Sequence, residues 1–269
     1  MIPVVIVGAS GRMGRALVQC LAEQPQLTLH AAVDRSDSPE QGMDVAALAG
    51  LPAMGLRIGS DLKSALRGAR VMIDFSDPTA TAGNLTECAH ARVAAFIGTT
   101  GQRSDIAAQL QSAARHVPVL LAANTSVGIT LLTELVRRVA RSLPADFDIE
   151  ITEAHHRAKK DAPSGTALHL GRAAADGRGR RFEDLAVFVR QGVEPRQTGE
   201  IGFSVLRGGD IVGDHSVLFA GAGERLVLTH QATDRAIFAR GALRGAAWLA
   251  DQPAGSYSMR DVLALNSMP

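Results

Sequence analysis

Aromatic residues are scarce: they make up 4% of 269 residues, with one tryptophan and one tyrosine. The lone tyrosine, Tyr257, is followed four residues on by Asp261, so the Tyr-x-x-x-Lys pair of short-chain dehydrogenases is missing. Cysteine is equally sparse. Cys20 and Cys88 both lie in helix-like segments, which supports no disulfide framework and fits a reducing compartment. Neither sits in the loop that an activated thiol nucleophile requires, which argues against a semialdehyde dehydrogenase. Each looks like a small buried apolar residue. Neither sign of charge is in excess, with 28 basic and 27 acidic residues and a net charge of +1, so neither nucleic acid nor a membrane surface is expected as a partner. No apolar run approaches the roughly 20 residues that span a bilayer. The opening MIPVVIVGAS has no basic region before its apolar run, so a signal peptide is not expected and the expected location is the cytoplasm. No internal repeat or low-complexity stretch is visible.

What remains is an ordinary globular composition, 46% hydrophobic and 20% charged, on a chain long enough for two domains. The first half alternates strands and helices. Val4 to Val7 is a β-branched run, Gly8, Gly11 and Gly14 follow, and Ala16 to Glu23 continues as an amphipathic helix. Strand, tight glycine turn and helix is the context of a dinucleotide-binding loop, in which the helix N-terminus receives the pyrophosphate. The spacing is GxxGxxG rather than GxGxxG, and a plain strand–helix turn could carry it. Leu27 to Val33 then ends in Asp34-Arg35, the acid lying 20 residues after Gly14. An acid there can hold ribose hydroxyls, and the adjacent arginine can pair with a 2′-phosphate. A solvated charge pair at a strand end is the alternative.

Further strands are expected at Arg70 to Phe75, Val93 to Ile97 and Val117 to Ala122, with helices from Ser76-Asp77-Pro78 to about Ala91 and from about Ser104 to Arg115. Such alternation predicts a parallel sheet with ligands at the carboxyl ends of its strands. Gly98-Thr99-Thr100-Gly101 and Ala123-Asn124-Thr125-Ser126 fall at those ends and are expected to line the nicotinamide half of a cofactor site.

The pattern changes after residue 126. A long amphipathic helix, Ile129 to Ser142, precedes a period-two strand, Phe147 to Thr152. A helix from about Thr166 to Ala175 and strands at Leu185 to Arg190, Gly199 to Leu206, Ile211 to Phe219 and Arg225 to Gln231 follow, the last ones joined by glycine turns. The expected architecture is α/β: a Rossmann-type dinucleotide-binding domain, residues 1–126, and an α+β substrate-binding and oligomerisation domain with a mixed or antiparallel sheet, residues 127–235. The helical segment Arg235 to Leu249 has no sheet partner nearby in sequence, so residues 236–269 are expected to return to the first domain.

Glu153 to Leu168, EAHHRAKKDAPSGTAL, concentrates the chemistry. Two adjacent histidines, several cations and a Pro-Ser-Gly-Thr turn entering an apolar helix can donate a proton and hold anions. Glu153 either orients a histidine or is a solvated acid at a strand end. Arg157 and Lys160 are expected at the surface. His30, His90, His116, His169 and His230 stand alone and read as structural, and His215 is structural or faces the cleft. No third ligand stands at metal-site spacing from His155 and His156, so no metal is expected. A non-enzymatic NAD(P)-sensing module would keep the glycine turn but has no use for EAHHRAKK.

Together GASGRMG, DFSDP, GTTG, AANTSVG, EAHHRAKKDAPSGTAL and RGGDIVGDH resemble the 4-hydroxy-tetrahydrodipicolinate reductase family, also called dihydrodipicolinate reductase. The resemblance runs nearly end to end with the motifs in the family's order, and EAHHxxKxDAPSGTA is its most specific part. It implies NADPH or NADH as cofactor, a small dicarboxylate substrate, a role in lysine and diaminopimelate biosynthesis, and a homotetramer associating through the second domain's sheet. It implies that His155 protonates the substrate carbon after hydride transfer and that Lys159 assists that transfer or stabilises the developing negative charge. It implies that His156 binds substrate and that Gly165 and Thr166 hold a substrate carboxylate through backbone N–H groups. The residues implied to contact the cofactor are Gly8, Ala9, Ser10, Gly11, Arg12, Met13, Asp34, Arg35, Gly98, Thr99, Thr100, Ala122, Ala123, Asn124 and Thr125. One departure is Thr125, where the family pattern has Phe; it bears on cofactor packing and not on the chemistry. The histidine-bearing turn is then expected to face the nicotinamide across a cleft between the domains.

Overall fold

A computed structural model describes residues 1–101 and 106–267. The chain opens with β1 (Ile2–Val7), α1 (Arg12–Leu21), β2 (Leu27–Val33), α2 (Val45–Leu48), β3 (Ile58–Gly59) and α3 (Leu62–Ala65). It continues with β4 (Val71–Asp74), α4 (Thr81–Ala91), β5 (Ala94–Ile97), α5 (Ile106–Ala114) and β6 (Pro118–Leu121). After α6 (Val127–Ser142) come β7 (Asp148–His155), α7 (Gly165–Gly177), β8 (Ala186–Val187), β9 (Ile201–Arg207), β10 (Gly213–Gly221) and β11 (Glu224–Ala232). The last elements are α8 (Ala236–Leu249), β12 (Gly255–Tyr257) and α9 (Met259–Val262). Two compact units result: Met1–Val127 with the segment beginning at Ala236, and Gly128–Arg235.

The first unit is a seven-stranded parallel sheet in the order β12-β6-β5-β4-β1-β2-β3. Its middle strands are buried along their whole length, as in β4 (VMID) and β5 (AAFI), because helices cover both faces and leave no solvated side to alternate with. One face carries a core of Val4, Ile6, Leu17, Phe96 and Leu120 closed by Leu243 and Ala246 of α8. The other carries Val5, Val7, Met72, Leu85, Ile97 and Val119. Neither cysteine forms a disulfide, both are buried in these cores, and burial pushes the Cys88 thiol up from its ordinary value.

One expectation shifts here, and one element is new. The helix after DFSDP begins at Thr81, because the Asp77 carboxylate instead accepts from the N–H and hydroxyl of Thr79 at 2.9 and 2.6 Å and closes a local turn. Strand β12 and its parallel pairing with β6 have no counterpart in the sequence reading, since three residues carry no measurable period. The expected start of α5 at Ser104 lies outside the described residues.

The second unit is a five-stranded mixed sheet, β11-β10-β7-β9-β8. β10 runs antiparallel to β7 and β11, whereas β7, β9 and β8 are parallel. Its core joins Ile149 and Ile151 of β7, Val217 and Phe219 of β10, Ile201 and Phe203 of β9, and Leu170, Ala173 and Ala174 of α7. Close helix packing depends on Gly171, where a Cβ would lie 2.6 Å from the Phe203 ring. The expected strand over Leu185 to Arg190 shrinks to Ala186–Val187.

Candidate active site

β7 runs three residues further than its alternating pattern predicted, so Glu153 and His155 belong to the strand itself. Period two then puts them on the face that Ile149 and Ile151 give to the core. The cross-strand neighbour of Glu153 on β10 is His215, and the neighbour of His155 on β9 is Arg207. At the carboxyl end of β7 the apolar core therefore gives way to a buried polar cluster. Glu153 is 1% exposed, His155 8% and His215 4%.

The Glu153 carboxylate is the hub of this cluster. One oxygen meets His155 Nδ1 at 2.5 Å and accepts from Arg207 Nη1 at 2.9 Å. The other accepts from Arg207 Nη2 at 2.8 Å and from the backbone N–H of Ser164 at 3.0 Å. Burial alone would raise the Glu153 pKa, but the hydrogen bonds from Arg207, His155 and Ser164 outweigh it and hold the carboxyl below its ordinary value. Burial lowers the His155 pKa; the carboxylate opposes this, while the positive charges of Lys159 and Arg207 add to it. With Nδ1 turned to Glu153, the second nitrogen, Nε2, faces Gly213, where a Cβ would sit 3.0 Å away. The His215 ring stands edge-on to His155 at 5.1 Å between centroids.

Ser164 joins this cluster to α7. Its side chain caps the helix by accepting from the Ala167 N–H at 3.1 Å, and its hydroxyl lies 3.1 Å from His215 Nε2. The next residues, Gly165 and Thr166, form the first turn of α7, Gly165 exposed and Thr166 half-buried. Lys159 pairs with Asp161 at 2.9 Å, and this hydrogen bond, with a smaller contribution from the Gly165 N–H, lowers the Asp161 pKa. His156 is half-buried, and Arg157 and Lys160 are exposed. Of the two readings for Glu153, the buried histidine partner is the one the geometry shows, and His215 is a buried neighbour of His155. Sequence reasoning missed Arg207 and Asp161. Arg207 stands at the head of the RGGDIVGDH motif, the one signal that could have drawn attention to it.

In the other unit the glycine loop connects β1 to α1. Gly8 has φ +79° and a Cβ there would lie 2.6 Å from the Phe75 carbonyl oxygen; at Gly14 a Cβ would collide with the Gly8 carbonyl. Gly11 caps α1 without any side-chain bond, so the first-turn N–H groups keep their direction toward the loop. A narrow backbone cradle of this kind fits a pyrophosphate. Ala9 is buried, Ser10 and Met13 are half-buried, and Arg12 is exposed. Asp34 Oδ2 accepts from the N–H and hydroxyl of Ser10 at 2.9 and 2.7 Å, tying the end of β2 to the loop. Arg35 is exposed and pairs with Asp37 at 3.1 Å.

Beyond β5, Gly98 lies against the Phe75 ring, where a Cβ would collide, and the Thr99 hydroxyl donates to Asp74 at 3.2 Å, while Thr100 is exposed. After β6, Ala122 is buried, Ala123 exposed and Asn124 half-buried. Thr125 is buried and donates to the Phe238 carbonyl at 2.7 Å. The sequence-predicted cofactor residues thus lie beyond the carboxyl ends of β1, β2, β5 and β6, with Arg12 and Met13 in the first turn of α1. Among the described residues no group of three or more His, Cys, Asp or Glu is disposed to hold a metal ion, and no helix is long and apolar enough to cross a membrane.

A parallel sheet with a glycine-loop cradle, joined in one chain to a buried Glu–His–Arg cluster, defines an NAD(P)H-dependent oxidoreductase. Residues 2–125 match the family described as dihydrodipicolinate reductase, N-terminus, and residues 128–263 the one described as dihydrodipicolinate reductase, C-terminus. The chain belongs to this family, the 4-hydroxy-tetrahydrodipicolinate reductases. The 4-hydroxy-tetrahydrodipicolinate reductase of Thiobacillus denitrificans is 50% identical over 263 residues, covering 97% of this chain and 98% of that protein. That of Rhizobium rhizogenes is 49% identical over 265 residues, covering 98% and 97%. In structure the chain is similar to a dipicolinate-bound dihydrodipicolinate reductase from Paenisporosarcina sp. TG-14, with a TM-score of 0.79, 23% identity and 100% of both chains covered. It also shares its fold with an amine dehydrogenase from Mycobacterium smegmatis, with a TM-score of 0.61, 13% identity, and 96% of this chain and 95% of that one covered.

Proposed function

We propose that this chain reduces 4-hydroxy-tetrahydrodipicolinate to tetrahydrodipicolinate with NADPH or NADH, in lysine and diaminopimelate biosynthesis in the cytoplasm. The observation that carries the reading is the set of groups around His155. The reaction needs a hydride at one ring carbon, a proton at its neighbour and a place for two carboxylates. The nicotinamide supplies the hydride when bound. His155 donates the proton from Nε2, the nitrogen that Glu153 leaves free, and the imidazole suits the task because its ordinary pKa lies near neutral. A dianionic substrate beside it raises its pKa and so offsets the effect of burial.

Gly165 and Thr166 hold one carboxylate with first-turn N–H groups of α7, and Lys159 and His156 add positive charge. Lys159 exchanges its pairing with Asp161 for the substrate. The cofactor is held by the loop Gly8 to Met13, by Asp34 and Arg35 at the ribose, and by Gly98 to Thr100 and Ala122 to Thr125. In this reading residues 1–126 with 236–269 bind the cofactor, and 127–235 bind substrate and form the homotetramer. Association through the second sheet is supported by its exposed apolar residues Val205, Leu206, Leu226 and Val227.

A coupled assay tests the reading: aspartate semialdehyde, pyruvate and the synthase that joins them, followed by NAD(P)H absorbance. The purified chain should oxidise NAD(P)H only in the complete mixture. His155→Ala should lower kcat by about 10²–10⁴, the range for loss of a general acid, with little change in cofactor affinity. An unaltered kcat would sink the assignment.

A further inference from the structure

The general acid in this reading is held by groups that have no part in donating the proton. Glu153, one of the most deeply buried charged side chains described, accepts from four donors on three different elements. Two of those bonds come from the Arg207 guanidinium, whose Nη atoms also donate to the carbonyls of Leu206 and Asp161 at 2.7 and 2.6 Å. Arg207 Nη1 and Nη2 are thus both engaged with protein acceptors, and Nε, which has no hydrogen-bond partner, is buried.

From this geometry we infer that Glu153, clamped by Arg207, is the positioning residue of the active site. It fixes His155 with Nδ1 protonated and Nε2 facing the substrate, and through the Ser164 N–H it locks the α7 turn to the same carboxylate. The inference rests on the functional reading of His155 given above. One carboxylate thereby sets the distance between the proton donor and the carboxylate-holding turn. A glutamine cannot replace it, because its amide NH₂ would face donors on His155, Arg207 or Ser164. The charges acting on His155 come from Glu153 on its own strand, Lys159 beyond it, Arg207 on β9 and His215 on β10. Glu153 favours the imidazolium, whereas Arg207 and Lys159 oppose it.

Glu153→Gln and Arg207→Gln should therefore move the His155 titration in opposite directions, which a merely structural role would not do. In ¹⁵N-histidine NMR of the ligand-free chain, neutral His155 should carry its proton on Nδ1. Its midpoint should fall in Glu153→Gln and rise in Arg207→Gln. The alkaline limb of kcat/KM should follow the same two directions, and Glu153→Gln should lose about 10²–10⁴-fold in kcat. If Arg207→Gln does not fold, Arg207→Lys keeps the charge and should leave the midpoint near that of the wild type while kcat falls. A neutral His155 protonated on Nε2, midpoints moving the same way, or an unchanged kcat in Glu153→Gln would overturn the inference. Because the NMR arm needs no substrate, its failure is separable from failure of the reductase assignment, which the coupled assay and His155→Ala report alone.

Discussion

Gly213→Ala places a single methyl group against His155, the proposed proton donor. The backbone at Gly213 is not in the left-handed region, so alanine costs nothing there in φ, and the whole effect is steric. The added Cβ would lie 3.0 Å from His155 Nε2 and 3.3 Å from Cδ2, inside the 3.5–4.0 Å or so of favourable contact. The imidazole cannot retreat freely, because Nδ1 is tied to a carboxylate that three other bonds hold in place. Overpacking of this kind costs about 1–3 kcal/mol. At roughly 2–4 °C per kcal/mol for a chain of this size, Tm should fall by several degrees. The methyl also covers Nε2 and displaces it by a few tenths of an ångström. Since misplacement by about 1 Å costs on the order of 10²-fold, kcat should fall roughly tenfold or more. Cofactor affinity should not change, because Gly213 belongs to the other compact unit. Steady-state kinetics, a thermal melt and a fluorescence titration with NADPH measure the three quantities. A variant with wild-type kcat would refute the placement of Nε2 as the donating atom.

Two further outcomes are expected. Arg35→Ala should weaken NADPH by about tenfold or more, the worth of one charge-assisted bond, and NADH much less; equal losses for both would show that Arg35 does not read the 2′-phosphate. His215 is held neutral by burial, with its pKa pushed down to about 4, whereas unfolded histidine titrates near 6.5. The unfolded chain then binds more protons between those values, so stability is full above about 6.5 and declines as pH falls toward 4. At 1.36 kcal/mol per pKa unit, the loss approaches roughly 3 kcal/mol. His155, His169 and His230 are lowered too, so urea midpoints of His215→Asn at pH 7 and 5 should show a reduced slope and not a flat one. An unreduced slope would contradict the buried neutral state.

Much of this protein was determined by local sequence. Leu27 to Val33 forms a strand over that span, and the core strands Val71–Asp74 and Ala94–Ile97 lie within a residue of their apolar runs, since burial on both faces writes a continuous pattern. The switch after residue 126 from unbroken runs to alternation marks the second, mixed sheet. The family was legible too, because EAHHRAKKDAPSGTAL is contiguous and needs no folding to be recognised. Other features were decided only by tertiary structure. Whether Glu153 is solvated or buried depends on strands that pair with β7 from more than 50 residues away, bringing Arg207 and His215 to it. The three-residue β12 forms only because the β6 edge is there to pair with. Local periodicity records which face of an element is apolar. It does not record which polar group stands opposite on another strand, and that pairing is what ties His155 through Nδ1 to a buried carboxylate and sets His215 beside it.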